Sequence, residues 1–150
     1  MGPSVPFAAV DLGRLVQKAM AGAHVGIYRL TNGRVGHRIR NTESVLLTTT
    51  GRKSGSPRVT PLIATPDDDR LLLVASNGGA VKHPDWYLNL VDHPGVEVQR
   101  GAARHPMRAR TAETGERTEL WPRVVATYKG YDGYQRKTER EIPLVVLEPA

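Results

Sequence analysis

From Val10 to Leu30 apolar residues recur at spacings of three and four (Leu12, Leu15, Val16, Ala19, Met20, Ala23, Ile27 and Leu30), with Asp11, Arg14, Gln17 and Lys18 on the opposite side. That period predicts an amphipathic helix that stops at Asn32 and Gly33, and Gly13, Gly22 and Gly26 admit a bend in it. Its apolar stripe has two fates, packing on the rest of the protein or lying on a membrane surface, and packing is the expected one. Three β-rich runs follow, Ser44–Thr50, Arg58–Thr65 and Arg70–Ser76. The short connections GRKSGSP and PDDD favour antiparallel hairpins. His83–His93 reads as a helix, with Pro84 at its first position, Asp85 in its first turn and Pro94 ending it. Strands are expected at Gly95–Arg100 and Ala103–Ala112, a helix from its cap candidate Thr114 to about Tyr128, and a last strand at Pro143–Glu148. The β runs are adjacent rather than alternating with helices, so the class is α+β with a barrel-like antiparallel sheet.

A chain of 150 residues is expected to be one domain, 1–150, with a helical N-terminal region over 1–25. With no cysteine, disulfides, thiolate metal sites, iron–sulfur clusters and a cysteine nucleophile are excluded. The N-terminus lacks the apolar core of a signal peptide, and no apolar run reaches membrane-spanning length, so a cytoplasmic protein is expected. The charge changes the picture more. Seven basic residues (Arg29, Arg34, Arg38, Arg40, Arg52, Lys53 and Arg58) face one acid, Glu43, so this segment alone carries the net +6 of the chain. Such a concentrated field calls for an anionic partner: a phosphorylated small molecule, a nucleic acid or an acidic membrane surface.

The sharpest candidate lies inside that field, at Thr48-Thr49-Thr50-Gly51-Arg52-Lys53-Ser54-Gly55. Hydroxyls, glycines that let backbone N–H groups approach, and two adjacent cations suit an anion at a hairpin tip. It is not a phosphate-binding loop of the Walker type, because Leu47 stands where the upstream glycine belongs. A second candidate is Ala75-Ser76-Asn77-Gly78-Gly79, a strand end running toward a helix that carries Trp86 and Asn89 on one face. A third is Tyr128, Tyr131 and Tyr134, whose spacing of three places phenols on one side of a helix or turn series, although Gly130 and Gly133 argue against a regular helix. A phenol can pass a proton to a developing oxyanion. The five histidines show no metal-ligand spacing, Asp67-Asp68-Asp69 reads as a solvated turn, and no nucleophile elbow or dinucleotide fingerprint occurs. A chain without these constellations either binds something or borrows its chemistry from a cofactor.

Three stretches, LLTTTGRKSGSPRVTPL, LLLVASNGGAVKHPDWYLNLVDHPGVEVQ and LWPRVVATYKGYDGYQRKTEREIPLVVLEP, resemble the deazaflavin-dependent nitroreductase family of actinobacteria in order and spacing. The resemblance covers Gly26 to Pro149. It implies a split β-barrel related to the flavin-mononucleotide-binding barrels, and the deazaflavin coenzyme F-420 as cofactor. The implied reaction carries a hydride from the reduced coenzyme to a quinone or, adventitiously, a nitroaromatic. By the same resemblance Thr50, Gly51, Arg52, Lys53 and Ser54 take the coenzyme's phosphate and Pro61 and Leu62 line its ring site. Ser76, Asn77, Gly78 and Gly79 approach the ring, and Trp86 and Asn89 complete the pocket. Tyr128, Tyr131 and Tyr134 wall the acceptor side, Tyr131 or Tyr134 donates the proton, and Ser76 is a candidate to stabilise the oxyanion. Two departures stand out: Asn77 replaces a lysine common among relatives, and Lys129 replaces a proline. The alternatives are a split-barrel protein using flavin mononucleotide and a non-catalytic deazaflavin carrier. Nucleic-acid binding is not expected, since the basic segment lacks interleaved aromatics. A homodimer and a peripheral membrane contact through the N-terminal helix complete the expectations.

Overall fold

The computed structural model describes residues 42–150 together with Val25 and Arg38–Ile39. The helix expected over Val10–Leu30 lies outside the described residues apart from Val25, which is helical. The strands are β1 (Arg38–Ile39), β2 (Thr42–Thr50), β3 (Pro57–Ile63), β4 (Thr65–Asp67), β5 (Arg70–Val74), β6 (Gly95–Arg100), β7 (Ala103–Thr111) and β8 (Leu144–Pro149). The helices are α1 (Asp85–Asp92), α2 (Thr114–Thr127) and α3 (Gly130–Lys137), preceded by a 3-10 turn at Asn77–Gly79. The sheet runs β1-β2-β6-β7-β8-β5-β4, and β3, off this path, pairs with β2. The strand pairings are antiparallel. This is the α+β class that the strand pattern predicts and the split β-barrel that the resemblance implies.

Strand periodicity explains where the core sits. Successive residues of a strand point to opposite faces. Leu71 and Leu73 of β5, with Val145 and Leu147 of β8, join Val45, Leu47, Val98, Trp86 and Leu90 in one cluster. The intervening Leu72, Val74, Leu144 and Val146 join Leu120, Val124 and Tyr131 in a second. One cluster therefore fills the curl of the sheet with α1, and the other lies under α2 and α3. Each such aliphatic side chain contributes about 1.5–3 kcal/mol by leaving water.

Most boundaries shift by one or two residues from expectation, and three of the differences have a plain physical cause. The run Arg58–Thr65 is divided at the buried Ala64, because β3 pairs with β2 while β4 turns away to pair with β5. Pro84 caps α1 from one position before the helix, its carbonyl accepting from the Tyr87 and Leu88 N–H groups. Glu113 rather than Thr114 caps α2, and Arg117 N–H donates to its carbonyl at 2.7 Å. No described helix is long and apolar enough to cross a membrane.

Charge fastens the β4–β5 turn to α2. Buried Asp67 accepts from Arg70 Nε at 3.0 Å and from Arg123 Nη1. Glu116 takes both terminal nitrogens of Arg110, whose Nε binds Glu148 on β8. The hydrogen bond from Arg70, aided by the charge of Arg123, holds the Asp67 carboxyl below its ordinary range, and the Arg110 hydrogen bond does the same for Glu116. Folded-state values below the unfolded ones mean that this stability is present at neutral pH and lost as the pH falls through the folded values. Thermal melts should therefore hold steady down to about pH 5 and drop below about pH 4. Asp67→Asn should melt lower than the parent at pH 7 and lose less on acidification; an equal acid loss in both would remove Asp67 from this account.

Candidate functional site

The hairpin tip between β2 and β3 is closed on itself. Gly51 N–H donates to the Ser56 carbonyl and Gly55 N–H to the Gly51 carbonyl, both at 2.8 Å, while Ser56 N–H reaches Ser54 Oγ at 3.1 Å. A Cβ at Gly51 would crowd Ser54 Oγ at 2.8 Å and the Ser56 carbonyl at 3.2 Å, and Gly55 has φ +74°, a conformation that favours glycine. The two adjacent cations have different fates. Arg52 donates to Asn89 Oδ1 twice, from its backbone N–H at 3.1 Å and from Nη1 at 2.8 Å, and Nη2 lies 3.4 Å from Asp85 Oδ1. Asn89, 4% exposed, donates in turn to Thr49 Oγ1 at 3.3 Å. The loop is thus clamped to α1 through Arg52, and Asn89 serves as the clamp. Lys53 is exposed and no described carboxylate pairs with it; Arg58, also exposed, reaches Ser54 Oγ at 3.3 Å. Thr50 is half-buried at the root of the loop.

The second segment is a turn of unusual backbone. Ser76 is right-handed (φ −76°, ψ −35°), and Asn77, Gly78 and Gly79 follow with φ of +49°, +65° and +84°. A right-handed residue followed by a left-handed one points successive N–H groups into one concavity, an arrangement suited to anions. Nothing lies within 4 Å of a Cβ built on Gly78, so the backbone there is open to a planar group. Gly79 has the opposite constraint: its Cβ would lie 2.9 Å from the Tyr134 carbonyl. The turn and α3 therefore touch. Asn77 Nδ2 donates to the Lys82 carbonyl at 3.1 Å, bracing the approach to α1.

Tyr128, Tyr131 and Tyr134 form one aromatic cluster, with centroids 5.0 Å apart for 128–131, 6.0 Å for 128–134 and 6.5 Å for 131–134. The segment is a helix despite its glycines, because Tyr131 is buried in the second core cluster and anchors it. Gly130 is required: a Cβ there would fall 2.4 Å from the Tyr128 ring, whereas one at Gly133 meets nothing nearer than 3.8 Å. The Tyr128 and Tyr134 hydroxyls are 3.1 Å apart. Burial pushes the Tyr131 phenol well above its ordinary value, making it a poor proton donor.

The predicted residues thus fall into two linked groups: the loop with Asn89, and the turn with the three tyrosines, both attached to α1 or the residues just before it. Trp86 is 6% exposed in the barrel core and underlies the site, and Leu62 packs against the same cluster. Pro61 is half-buried on β3, which among the described residues pairs only with β2 and so tolerates a residue without an N–H. Ser76 is 8% exposed. The sequence reading missed Arg140, which donates from Nη2 to the Ser76 carbonyl at 2.8 Å and from Nε to the Ala80 carbonyl at 2.9 Å. It also missed Gln135, which donates to the Arg140 carbonyl and accepts from Arg117. Elsewhere, a groove of about 420 Å³ beside Asp68, Arg100 and His105 shares no residue with this site. Among the described residues no cluster of histidine and carboxylate groups can hold a metal ion.

With this geometry in hand, comparison with known proteins is specific. A family model described as F420H(2)-dependent quinone reductase matches residues 20–149. A Mycobacterium tuberculosis protein named F420H(2)-dependent quinone reductase is 43% identical over 128 residues, covering 83% of this chain and 86% of that protein. A solved structure titled F420-H2 Dependent Reductase (FDR-A) is 43% identical with a TM-score of 0.66, covering 70% of this chain and 93% of that one. Another, described as a domain-swapped dimer, is 36% identical with a TM-score of 0.69 and covers 92% and 100%.

The two glycines of α3 give opposite expectations. Gly133→Ala should raise stability by about 0.5–1 kcal/mol through helix propensity. Gly130→Ala should lower it and displace the Tyr128 ring, read as a change in tyrosine fluorescence or near-ultraviolet dichroism. Equal effects of the two on thermal melting would contradict the placement of Tyr128.

Proposed function

The chain belongs to the F420H(2)-dependent quinone reductase family, and from that premise we propose that it binds the reduced deazaflavin coenzyme F-420 and reduces a quinone, with nitroaromatics as adventitious acceptors. The observation that carries this reading onto particular residues is the clamped loop. Arg52 is held by Asn89, and Lys53 is left exposed beside Ser54 and Arg58. Such a donor set fits a phosphodiester, and the open backbone at Gly78 fits the edge of a planar ring. When bound, the reduced deazaflavin supplies the hydride for the acceptor.

In this reading the protein binds, orients and supplies a proton. Thr50, Gly51, Lys53 and Ser54 hold the phosphate, and Arg52 keeps the loop in register with α1 while adding its charge. Pro61 and Leu62 line one side of the ring site. Ser76, Asn77, Gly78 and Gly79 approach the ring, the first three with backbone N–H groups, and the Ser76 hydroxyl is available to a developing oxyanion. Trp86 and Asn89 shape the pocket from beneath. Tyr128, Tyr131 and Tyr134 wall the acceptor side and keep water away. Tyr134 is the better proton donor of the two candidates, since it is half-buried with its hydroxyl against that of Tyr128 while Tyr131 is buried. We read residues 1–150 as one deazaflavin-binding domain. Pairing of two copies is supported by the domain-swapped neighbour.

Steady-state reduction of a soluble quinone by the reduced coenzyme tests the assignment. Tyr134→Phe should lower kcat by about tenfold to a hundredfold, within the range of general acid catalysis, and leave coenzyme affinity unchanged. An unaltered kcat would take Tyr134 out of the reaction. Lys53→Ala should weaken coenzyme binding several-fold at low salt and flatten its salt dependence; if neither changes, the phosphate lies elsewhere. Tight binding with no turnover of any quinone would mean a carrier.

A further inference from the structure

Arg140 occupies a position that charge alone does not explain. It lies between α3 and β8, flanked by Glu139 and Glu141, yet both of those are exposed and neither forms an ion pair with it. Among the described residues its guanidinium meets only neutral groups. Nε donates to the Ala80 carbonyl at 2.9 Å, Nη2 to the Ser76 carbonyl at 2.8 Å and the Ala75 carbonyl at 3.4 Å, and Nη1 to His83 Nδ1 at 3.0 Å. A histidine nitrogen that accepts from a guanidinium carries no proton, so His83 is the neutral tautomer protonated at Nε2. Burial and the neighbouring guanidinium both depress its protonation.

These contacts turn three carbonyls of the Ala75–Ala80 segment inward, toward one cation. A peptide unit whose carbonyl is bound by a cation becomes a stronger donor at its N–H, because hydrogen bonds in series polarise one another. The two units so polarised at the start of the turn end in the Ser76 and Asn77 N–H groups, which donate to no described protein group. Those same groups begin the right-handed to left-handed concavity. The backbone of Arg140 is fixed in turn, its carbonyl accepting from Gln135 Nε2 at 2.8 Å and its N–H lying 3.3 Å from Thr138 Oγ1.

We propose that Arg140 is the positioning residue of the ring site. Its guanidinium, held on carbonyls without a carboxylate, fixes the Ser76–Gly79 turn and strengthens the Ser76 and Asn77 N–H groups as donors to an electron-rich edge of the bound ring. This rests on the deazaflavin reading above and adds a residue to it. Arg140 touches neither coenzyme nor acceptor; it acts through the turn.

The test compares the full-length parent with Arg140→Gln and Arg140→Lys, using the oxidised coenzyme as probe and reading thermal melting, Kd and the absorption band of the bound coenzyme. Arg140→Gln removes the charge, so Kd should rise about tenfold and the bound band should shift away from its position in the parent. Arg140→Lys keeps the charge with fewer donors, so the band should return toward the parent position and Kd should recover in part. The proposal is overturned if Arg140→Gln leaves Kd and band unchanged. It is equally overturned if affinity falls with melting temperature while the band stays fixed and lysine rescues nothing, the pattern of a purely structural role. Should Arg140→Gln not fold, Arg140→Lys alone decides, a parent-like band supporting the proposal and a displaced one opposing it. Failure of the parent itself to bind the coenzyme is a different result: it sinks the functional reading, and this inference with it.

Discussion

The rest of the molecule depends on the two-sided burial of β5 and β8. Alternate side chains of these strands enter the barrel curl, and the others lie beneath α2 and α3. Neither strand can slip by one residue without exchanging its two sets of neighbours. That register fixes where α3 lands, and α3 in turn carries Tyr131 and Tyr134 and meets the Ser76–Gly79 turn at Gly79. The loop after β2 is placed by the same logic from the other side. β2 is nearly continuously buried between β3 and β6, so its end at Thr50 has little freedom.

On this apolar frame, a few polar side chains convert strand ends into a site. Asn89 and Arg140 are counterparts in that sense. Each takes a segment with few regular hydrogen bonds and supplies several: Asn89 for the hairpin tip through Arg52 and Thr49, Arg140 for the turn through three carbonyls. A buried amide or a cation without a carboxylate is costly unless its partners are complete, so such groups tend to specify one arrangement of their surroundings. Lys53 contrasts with both. It is left in solvent at the tip, where its charge is available to a ligand.

Much of the fold was legible because strand alternation and short turns are local signals. Gly95–Arg100 matches β6 end to end, and the hairpin across Gly51–Ser56 is where the loop chemistry placed it. The division of the second run into β3 and β4 was not legible, since Arg58–Thr65 carries one unbroken pattern and only the choice of partner strand separates its halves. Helix α3 was obscured by two glycines, whose propensity was outweighed by the burial of Tyr131. In the site, residue types were readable but commitments were not. Arg52 and Lys53 look equivalent in sequence, and only the fold reveals that Asn89 engages the first. Arg140, between two glutamates, reads as part of a solvated charge run.

In the proposed function the fold holds a deazaflavin through a cationic loop and an open turn. A titration with oxidised coenzyme F-420, followed by tryptophan quenching and run in parallel with flavin mononucleotide, addresses it without requiring knowledge of the acceptor. Saturable binding of the deazaflavin that weakens with added salt is expected, with no comparable binding of the flavin. Tighter binding of flavin mononucleotide, or no saturable deazaflavin binding at low salt, would contradict that function.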